Sequence, residues 1–279
     1  MYNKLLVFGG NGFLGKRICQ EAVTRGFQVT SVSRSGIAPE APTPSDSHWI
    51  REVKWESCDI FKPDSYYHLL SENPNIVHSV GILFENDIYK KIIRGSFSEF
   101  LKYLQNHKPS LDKNPLIDRD PNMTYEMVNK KSALILADAF SEILQKQHSG
   151  RLLNEKASPT FTYISADRGF PLVPDAYINS KRDTESELKN YNDVFRSIIM
   201  RPGFMYDEYS NNADPSYLIR RGIEAMNCAN HVVFNNKFDF INNQVRPAVS
   251  AQQVSKSVMD HIVDKNYNGV VSLEEITKN

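Results

Sequence analysis

Cysteine is scarce in this chain. Its 279 residues hold three, Cys19, Cys58 and Cys228, and no two stand at the spacing of a metal-binding pair. Three thiols cannot all pair within one chain, so a disulfide framework is excluded and a reducing compartment expected. Cys19 and Cys58 read as small core residues rather than reactive thiols. An excess of charge of either sign is also missing, because 33 Lys and Arg balance 33 Asp and Glu. A general nucleic-acid binder would carry a basic surplus, so nucleic acid is not an expected partner. No apolar run approaches the ~20 residues of a membrane-spanning helix. The first strand pattern begins near Lys4, which is expected to leave no space ahead of it for a cleaved signal. No internal repeat is visible.

What is present is a regular alternation. Leu5 to Phe8 is a short apolar run, and Leu14, Ile18, Ala22 and Val23 then recur at helical spacing up to Gly26. Phe27 to Arg34, Glu52 to Ile60 and Asn75 to Leu83 read as the next three strands. Ala38 to Ser47 reads as a Pro-rich loop, and Pro63 to Leu70 as a helical link. Residues 85–122 break the rhythm: they are polar, with Pro109, Pro115 and Pro121, and read as a partly mobile insertion after strand four. Tyr125 to Phe140 reads as a helix, Thr160 to Ala166 as strand five, Tyr177 to Tyr191 as a helix and Arg196 to Phe204 as strand six. Residues 205–245 read as a small C-terminal lobe that includes an amphipathic helix from Ser216 to Asn227, with an apolar stripe of Leu218, Ile219, Ile223 and Met226. A second helix, from Ser250 to Val263, and a late strand follow. The expected fold is α/β: one domain over residues 1–279, built on a doubly wound parallel sheet with helices on both faces.

The segment Lys4 to Arg17, KLLVFGGNGFLGKR, carries the first chemical signal. Gly9, Gly12 and Gly15 stand three apart where a strand turns into a helix. One glycine permits the tight turn, one lets backbone approach a pyrophosphate, and one lets the helix pack on the strand. With Phe13 and Leu14 they form an expected dinucleotide site of the Rossmann type, phosphates resting on the helix N-terminus. At the end of strand two an NAD site usually carries an acid. Here stand Ser33, Arg34 and Ser35, which suit a 2′-phosphate, so NADP(H) is the expected cofactor and NAD(H) the alternative. Lys16 and Arg17 add nearby charge. Asp59 is placed either to meet the adenine amino group or to hold a turn.

The second signal is Tyr177 and Lys181, four apart on one helix and so on one face. Ser165 ends the preceding strand. A lysine beside a tyrosine lowers the phenol's pKa and can hold a ribose, the phenol can pass a proton to or from a substrate oxygen, and a serine can hold that oxygen. Asn129 is placed to support a proton relay. Gly81 follows strand four, and Pro202 and Gly203 follow strand six, where they would fix backbone groups beside a nicotinamide. His78 reads as a residue packed near the cofactor rather than a catalytic one.

Together, Gly9-x-x-Gly12-x-x-Gly15, Ser165, Tyr177-x-x-x-Lys181 and Arg201-Pro202-Gly203 resemble the extended or atypical short-chain dehydrogenase/reductases. YEMVNKKSA resembles that family's fourth helix, with Asn129 at the matching place. LLVFGGNGFLGKRICQEAV, FTYISADRGFP, YINSKR and VRPAVSAQQVSKSV resemble more narrowly a fungal mitochondrial branch, the dehydrogenase-like proteins of the coenzyme Q biosynthetic complex. That branch is akin to the nucleotide-binding accessory subunit of respiratory complex I. The resemblance implies a protein on the matrix side of the inner membrane, with quinone-biosynthesis enzymes as partners and peripheral contact with the membrane. It implies an oxidoreductase acting on a quinone precursor or, as the alternative, a catalytically silent cofactor-bound assembly subunit.

Overall fold

The computed structural model describes residues 3–41, 44–82, 123–148, 158–168, 174–209 and 246–278. Nearly all of the expected insertion and C-terminal lobe, including the stripe from Leu218 to Met226, lies outside these residues, as does Cys228.

Alternation sets the first layer. In β1 (Lys4–Phe8), Leu5 and Val7 face one side while Leu6 and Phe8 face the other, and all four are buried. A strand buried on both faces belongs inside a parallel sheet. The chain continues through α1 (Gly15–Thr24), β2 (Gln28–Ser33), α2 (Pro44–Glu52), β3 (Lys54–Ser57), α3 (Tyr67–Glu72) and β4 (Asn75–His78). After residue 123 come α4 (Ser132–His148), β5 (Thr160–Ile164), α5 (Asp175–Leu188), β6 (Arg196–Met200) and β7 (Met205–Tyr206). The described chain closes with β8 (Val249–Ser250), α6 (Ala251–Val263), β9 (Gly269–Val271) and α7 (Leu273–Lys278).

Seven strands form one parallel sheet in the order β3-β2-β1-β4-β5-β6-β9. One face packs Ile18 of α1, Trp49 of α2 and Val254 and Val258 of α6. The other packs Leu69 of α3, Leu136 and Phe140 of α4 and Leu188 of α5. On that second face Phe195 stacks between Phe140 and Phe161 at 5.5 and 5.4 Å. The doubly wound sheet expected from the sequence is therefore present. Among the described residues, no helix is long and apolar enough to cross a membrane.

The Pro-rich loop expected from Ala38 to Ser47 is only partly a loop, because α2 begins at Pro44. Proline fits a first helical turn, where its missing N–H has no partner to lose. Asp46 then accepts a hydrogen bond from Trp49 Nε1 at 3.1 Å, closing that turn, and Trp49 is buried against the sheet. Glu52 consequently ends a helix instead of opening strand three. A second difference lies ahead of α4: Glu126–Lys131 winds as a wide π-helical turn, a form that concentrates at functional sites.

Candidate functional site

In this strand order the chain leaves β1 toward β2 on one side and enters β4 on the other. Crevices at such a switch point, beyond the carboxyl ends of the strands, are where α/β sheets take their ligands. Gly9 to Gly15 lie past the end of β1 and Ser79 to Gly81 past the end of β4, so both border that crevice.

The glycine corner is tight. Gly9 has φ +84°, and Gly12 N–H donates to the Gly9 carbonyl at 3.0 Å. A Cβ placed on Gly15 would lie 2.1 Å from that same carbonyl oxygen. A Cβ on Gly10 would lie 2.3 Å from Ser31 Oγ. Gly10 was not singled out in the sequence; its only signal there is the doubled glycine at the strand end. Among the described residues, the backbone N–H groups of Phe13, Leu14 and Gly15 have no acceptor, and α1 has no side-chain cap. Unpaired N–H groups at a helix start form an anion-binding end. Leu14 is buried in the core beneath the corner, while Phe13 stands exposed over it.

At the end of β2, the Arg34 carbonyl accepts from Ser57 Oγ at 2.8 Å while its side chain is exposed. Ser33 Oγ accepts the Gly36 N–H at 3.1 Å and holds the loop. Asp59 accepts the Phe61 N–H at 3.1 Å and also lies 3.8 Å from Lys62 Nζ, so its carboxylate shapes a turn. Lys16 and Arg17 are committed elsewhere: Lys16 Nζ lies 3.2 Å from Asp207, and buried Arg17 reaches the same carboxylate at 2.9 Å.

The second group assembles around Lys181. Its Nζ donates to the Ile164 carbonyl at 2.8 Å and sits 4.8 Å from the centre of the Tyr163 ring and 5.8 Å from that of Tyr177. A Cβ on Gly81 would come within 3.4 Å of Lys181 Nζ and 3.3 Å of Asn129 Oδ1, so the absent side chain there leaves the pair room. Asn129 is buried on the π-helical turn. Its amide accepts the Ile82 N–H at 2.9 Å and donates to the Ile82 carbonyl at 3.1 Å. Its own carbonyl accepts the Tyr163 phenol at 2.8 Å. The structure thus brings Gly81, Asn129, Tyr177 and Lys181 together.

Burial pulls the Lys181 ammonium down to about 7, with Glu185 acting in the opposite sense. Burial pushes the half-buried Tyr177 phenol up to about 12 against a lowering by Arg182, so the lowering expected from Lys181 is not found in this arrangement. His78, buried at the end of β4, is held down to about 3 by burial and then by the Lys181 charge. Its Nε2 pairs with Ser132 Oγ at 2.9 Å, and the ring packs 5.6 Å from Tyr163.

Ser165 does not join this group through its hydroxyl. Its Oγ donates to Glu185 Oε1 at 2.5 Å and lies 3.3 Å from Arg182 Nη1. The sequence placed Ser165 correctly at the end of β5 but could not show which way it turns. In sequence Glu185 is one of two acids in ESEL. Its signal is position: it stands four residues after Lys181, on the same helical face. Of the two residues after Arg201, the Pro202 carbonyl accepts the Asp167 N–H at 2.8 Å, and a Cβ on Gly203 would strike Leu273 at 3.0 Å.

No family model matches the chain. It is 50% identical, over all of both chains, to a protein of Saccharomyces cerevisiae named MIOREX complex component 2. Among solved structures it resembles an oxidoreductase of the short-chain dehydrogenase/reductase family from Burkholderia thailandensis, at 12% identity and TM-score 0.57, covering 100% of this chain and 94% of the other. It also resembles UDP-glucose 4-epimerase from Thermus thermophilus, solved with NAD, at 14% identity and TM-score 0.53, covering 97% and 77%. At these identities the two structures establish a shared fold.

Proposed function

The chain belongs to the family of yeast MIOREX complex component 2, and we propose that it binds a nicotinamide dinucleotide, NADP(H) in preference to NAD(H), in mitochondrial coenzyme Q biosynthesis. The observation that carries the cofactor is the glycine corner: Gly15 lets the start of α1 press against the Gly9 carbonyl, where a Cβ would not fit, and the N–H groups of Phe13, Leu14 and Gly15 there have no acceptor among the described residues. The exposed Arg34 guanidinium and the serines beside it support the 2′-phosphate. The coenzyme Q setting is supported by the resemblance of FTYISADRGFP, YINSKR and VRPAVSAQQVSKSV to that branch. A place on the matrix side of the inner membrane, among quinone-biosynthesis enzymes, goes with it.

The residues present fit a nicotinamide nucleotide, which when bound supplies or accepts a hydride. Phe13, Leu14 and Gly15 would receive the pyrophosphate on their N–H groups. Lys181 would hold ribose hydroxyls, and Gly81 leaves the space in which it does so. Tyr177 would hand a proton to a carbonyl oxygen of a quinone precursor, with Asn129 buried behind Lys181 as the relay partner. Mass spectrometry of the nucleotide that co-purifies tests the cofactor, with NADP(H) expected; finding none, together with no fluorescence change on titrating NADPH, overturns it. Replacing Tyr177 by Phe should abolish turnover and leave the affinity for NADPH within about twofold, since the phenol acts on the reacting oxygen rather than on the cofactor.

A second reading has its own observation. With its hydroxyl given to Glu185, Ser165 holds no substrate oxygen in this arrangement. That favours a cofactor-bound assembly subunit without turnover. Full quinone production in cells carrying only the Tyr177→Phe protein would select it.

Lys181 adds a prediction common to both readings. Its free-protein value near 7 leaves it mostly neutral at about pH 8. Ribose hydroxyls accept from an ammonium and raise that value, so binding must take a proton up. Calorimetric titration of NADPH at about pH 8 in two buffers of different ionisation enthalpy should show uptake approaching one proton per site. No uptake would place Lys181 away from the ligand.

A further inference from the structure

Glu185 is a buried carboxylate that the proposed chemistry does not use. It sits on α5 one turn below Lys181 and gathers three groups from three directions. Ser165, at the end of β5, donates its hydroxyl at 2.5 Å. Arg182, on α5, donates Nη1 at 2.6 Å. Arg201, past the end of β6, donates Nε at 3.0 Å and pairs through Nη2 with the other carboxylate oxygen. Arg182 also ties down the chain after β5, through the carbonyls of Ala166 at 2.9 Å and Asp167 at 3.2 Å. The residue just before Ser165 is Ile164, whose carbonyl accepts the Lys181 ammonium. One carboxylate therefore secures both the helix that carries Lys181 and the strand end that receives it.

We infer that Glu185 is a positioning residue for Lys181, a buried carboxylate knot that fixes the ammonium against the end of β5. Among the described residues, the charged and titratable groups around the lysine are few. His78 of β4, Tyr163 of β5 and Tyr177 of α5 face it, and Asn129 meets it from the π-helical turn. Of these His78 is neutral and the phenols are protonated, so among the described residues Glu185 is the carboxylate that acts on the ammonium, and it does so in the stabilising sense. Arg182 and Arg201 temper its charge from the far side. The inference deepens the proposed site, since it concerns the lysine assigned to the ribose. It is tested without nucleotide, so the two stand or fall separately.

The measurement is an NMR titration of protein labelled with carbon-13 at the lysine Cε, the Lys181 signal assigned from its loss in Lys181→Arg. Glu185→Gln keeps the shape of the side chain and removes the charge. Its Lys181 midpoint is expected about one pH unit lower than the parent's. Arg182→Gln removes a cation and leaves the carboxylate, so it should move the midpoint upward. A purely structural role would lower the melting temperature in both variants and leave the midpoint where it was; a midpoint unmoved in folded Glu185→Gln overturns the inference. If that variant does not fold, Arg182→Gln decides: an upward shift supports the inference and no shift overturns it. A parent protein that binds no nucleotide but shows both shifts would end the cofactor reading alone.

Discussion

Replacing Gly15 by Ala is expected to weaken NADPH binding by at least ~100-fold, on the order of 3 kcal/mol, and to destabilise the fold by about 1–3 kcal/mol. The added carbon would lie 2.1 Å from the Gly9 carbonyl oxygen and 2.8 Å from Gly10 Cα. Both are backbone atoms at the end of a fully buried strand, so neither can rotate aside. The first turn of α1 must then lift from β1, carrying with it the N–H groups that meet the pyrophosphate. Fluorescence titration and a thermal melt check both effects. Gly26→Ala is the control: Gly26 has φ +77° and nothing within 4 Å of its built Cβ. It should cost about 1 kcal/mol through strain alone and leave affinity untouched. Parent-like binding by Gly15→Ala would remove the case for a cofactor at this corner.

The largest loss of stability is expected from Asp207→Ala. Asp207 and Arg17 are both buried. Arg17 Nε lies 3.2 Å from each carboxylate oxygen and its Nη2 lies 2.9 Å from one of them. Lys16 Nζ at 3.2 Å, Gln252 Nε2 at 2.6 Å and the Tyr209 N–H at 3.2 Å also meet the carboxylate. Removing one partner of a buried pair strands the other charge, at a cost of about 3–5 kcal/mol. Asp46, 3.5 Å from Arg17, offsets part of it, which puts the expectation at the low end of that range. Urea unfolding measures the cost, and Arg17→Met in the Asp207→Ala background should recover much of it, because the buried guanidinium left by the loss of Asp207 is then gone. Simple addition of the two single losses would show that the pair is not coupled. Burial alone would raise the Asp207 carboxyl, but hydrogen bonds from Arg17, Gln252 and the Tyr209 N–H hold it below the usual carboxylate value. Its folded value is thus below its unfolded one. The stability it supplies is complete above about pH 4 and is lost as the pH falls through the folded value.

The sheet was legible because most strand patterns came with a helix pattern, and doubly wound order follows from right-handed crossovers. The corner was legible because three glycines at fixed spacing answer one steric problem. The Tyr177 and Lys181 pair was legible from the helical repeat. What escaped depends on direction or on distance along the chain. Lys16 and Arg17 look like phosphate ligands in sequence, yet they meet an acid 190 residues away from Arg17. Ser165 lies where expected, but its hydroxyl turns to Glu185, and the four-residue spacing from Lys181 marks the helical face of that acid without showing what it holds. The wide turn at Glu126–Lys131 keeps the same apolar pattern as a regular helix, so periodicity could not reveal it. α2 was hidden by the prolines before it and the one at its start, which mark a loop and a helix start alike.

The strand β9 completes the sheet from far along the chain, laying Gly269 to Val271 against Ile198 to Met200. During synthesis β6 therefore emerges before its β9 neighbour, and that side stays unpaired by β9 until Gly269 to Val271 have also left the ribosome. Ile198, Ile199 and Met200 form an apolar, β-prone edge of the kind that templates aggregation. A premature stop or a proteolytic clip just ahead of Gly269 would spare every residue of the nucleotide corner and still yield a sticky, short-lived product.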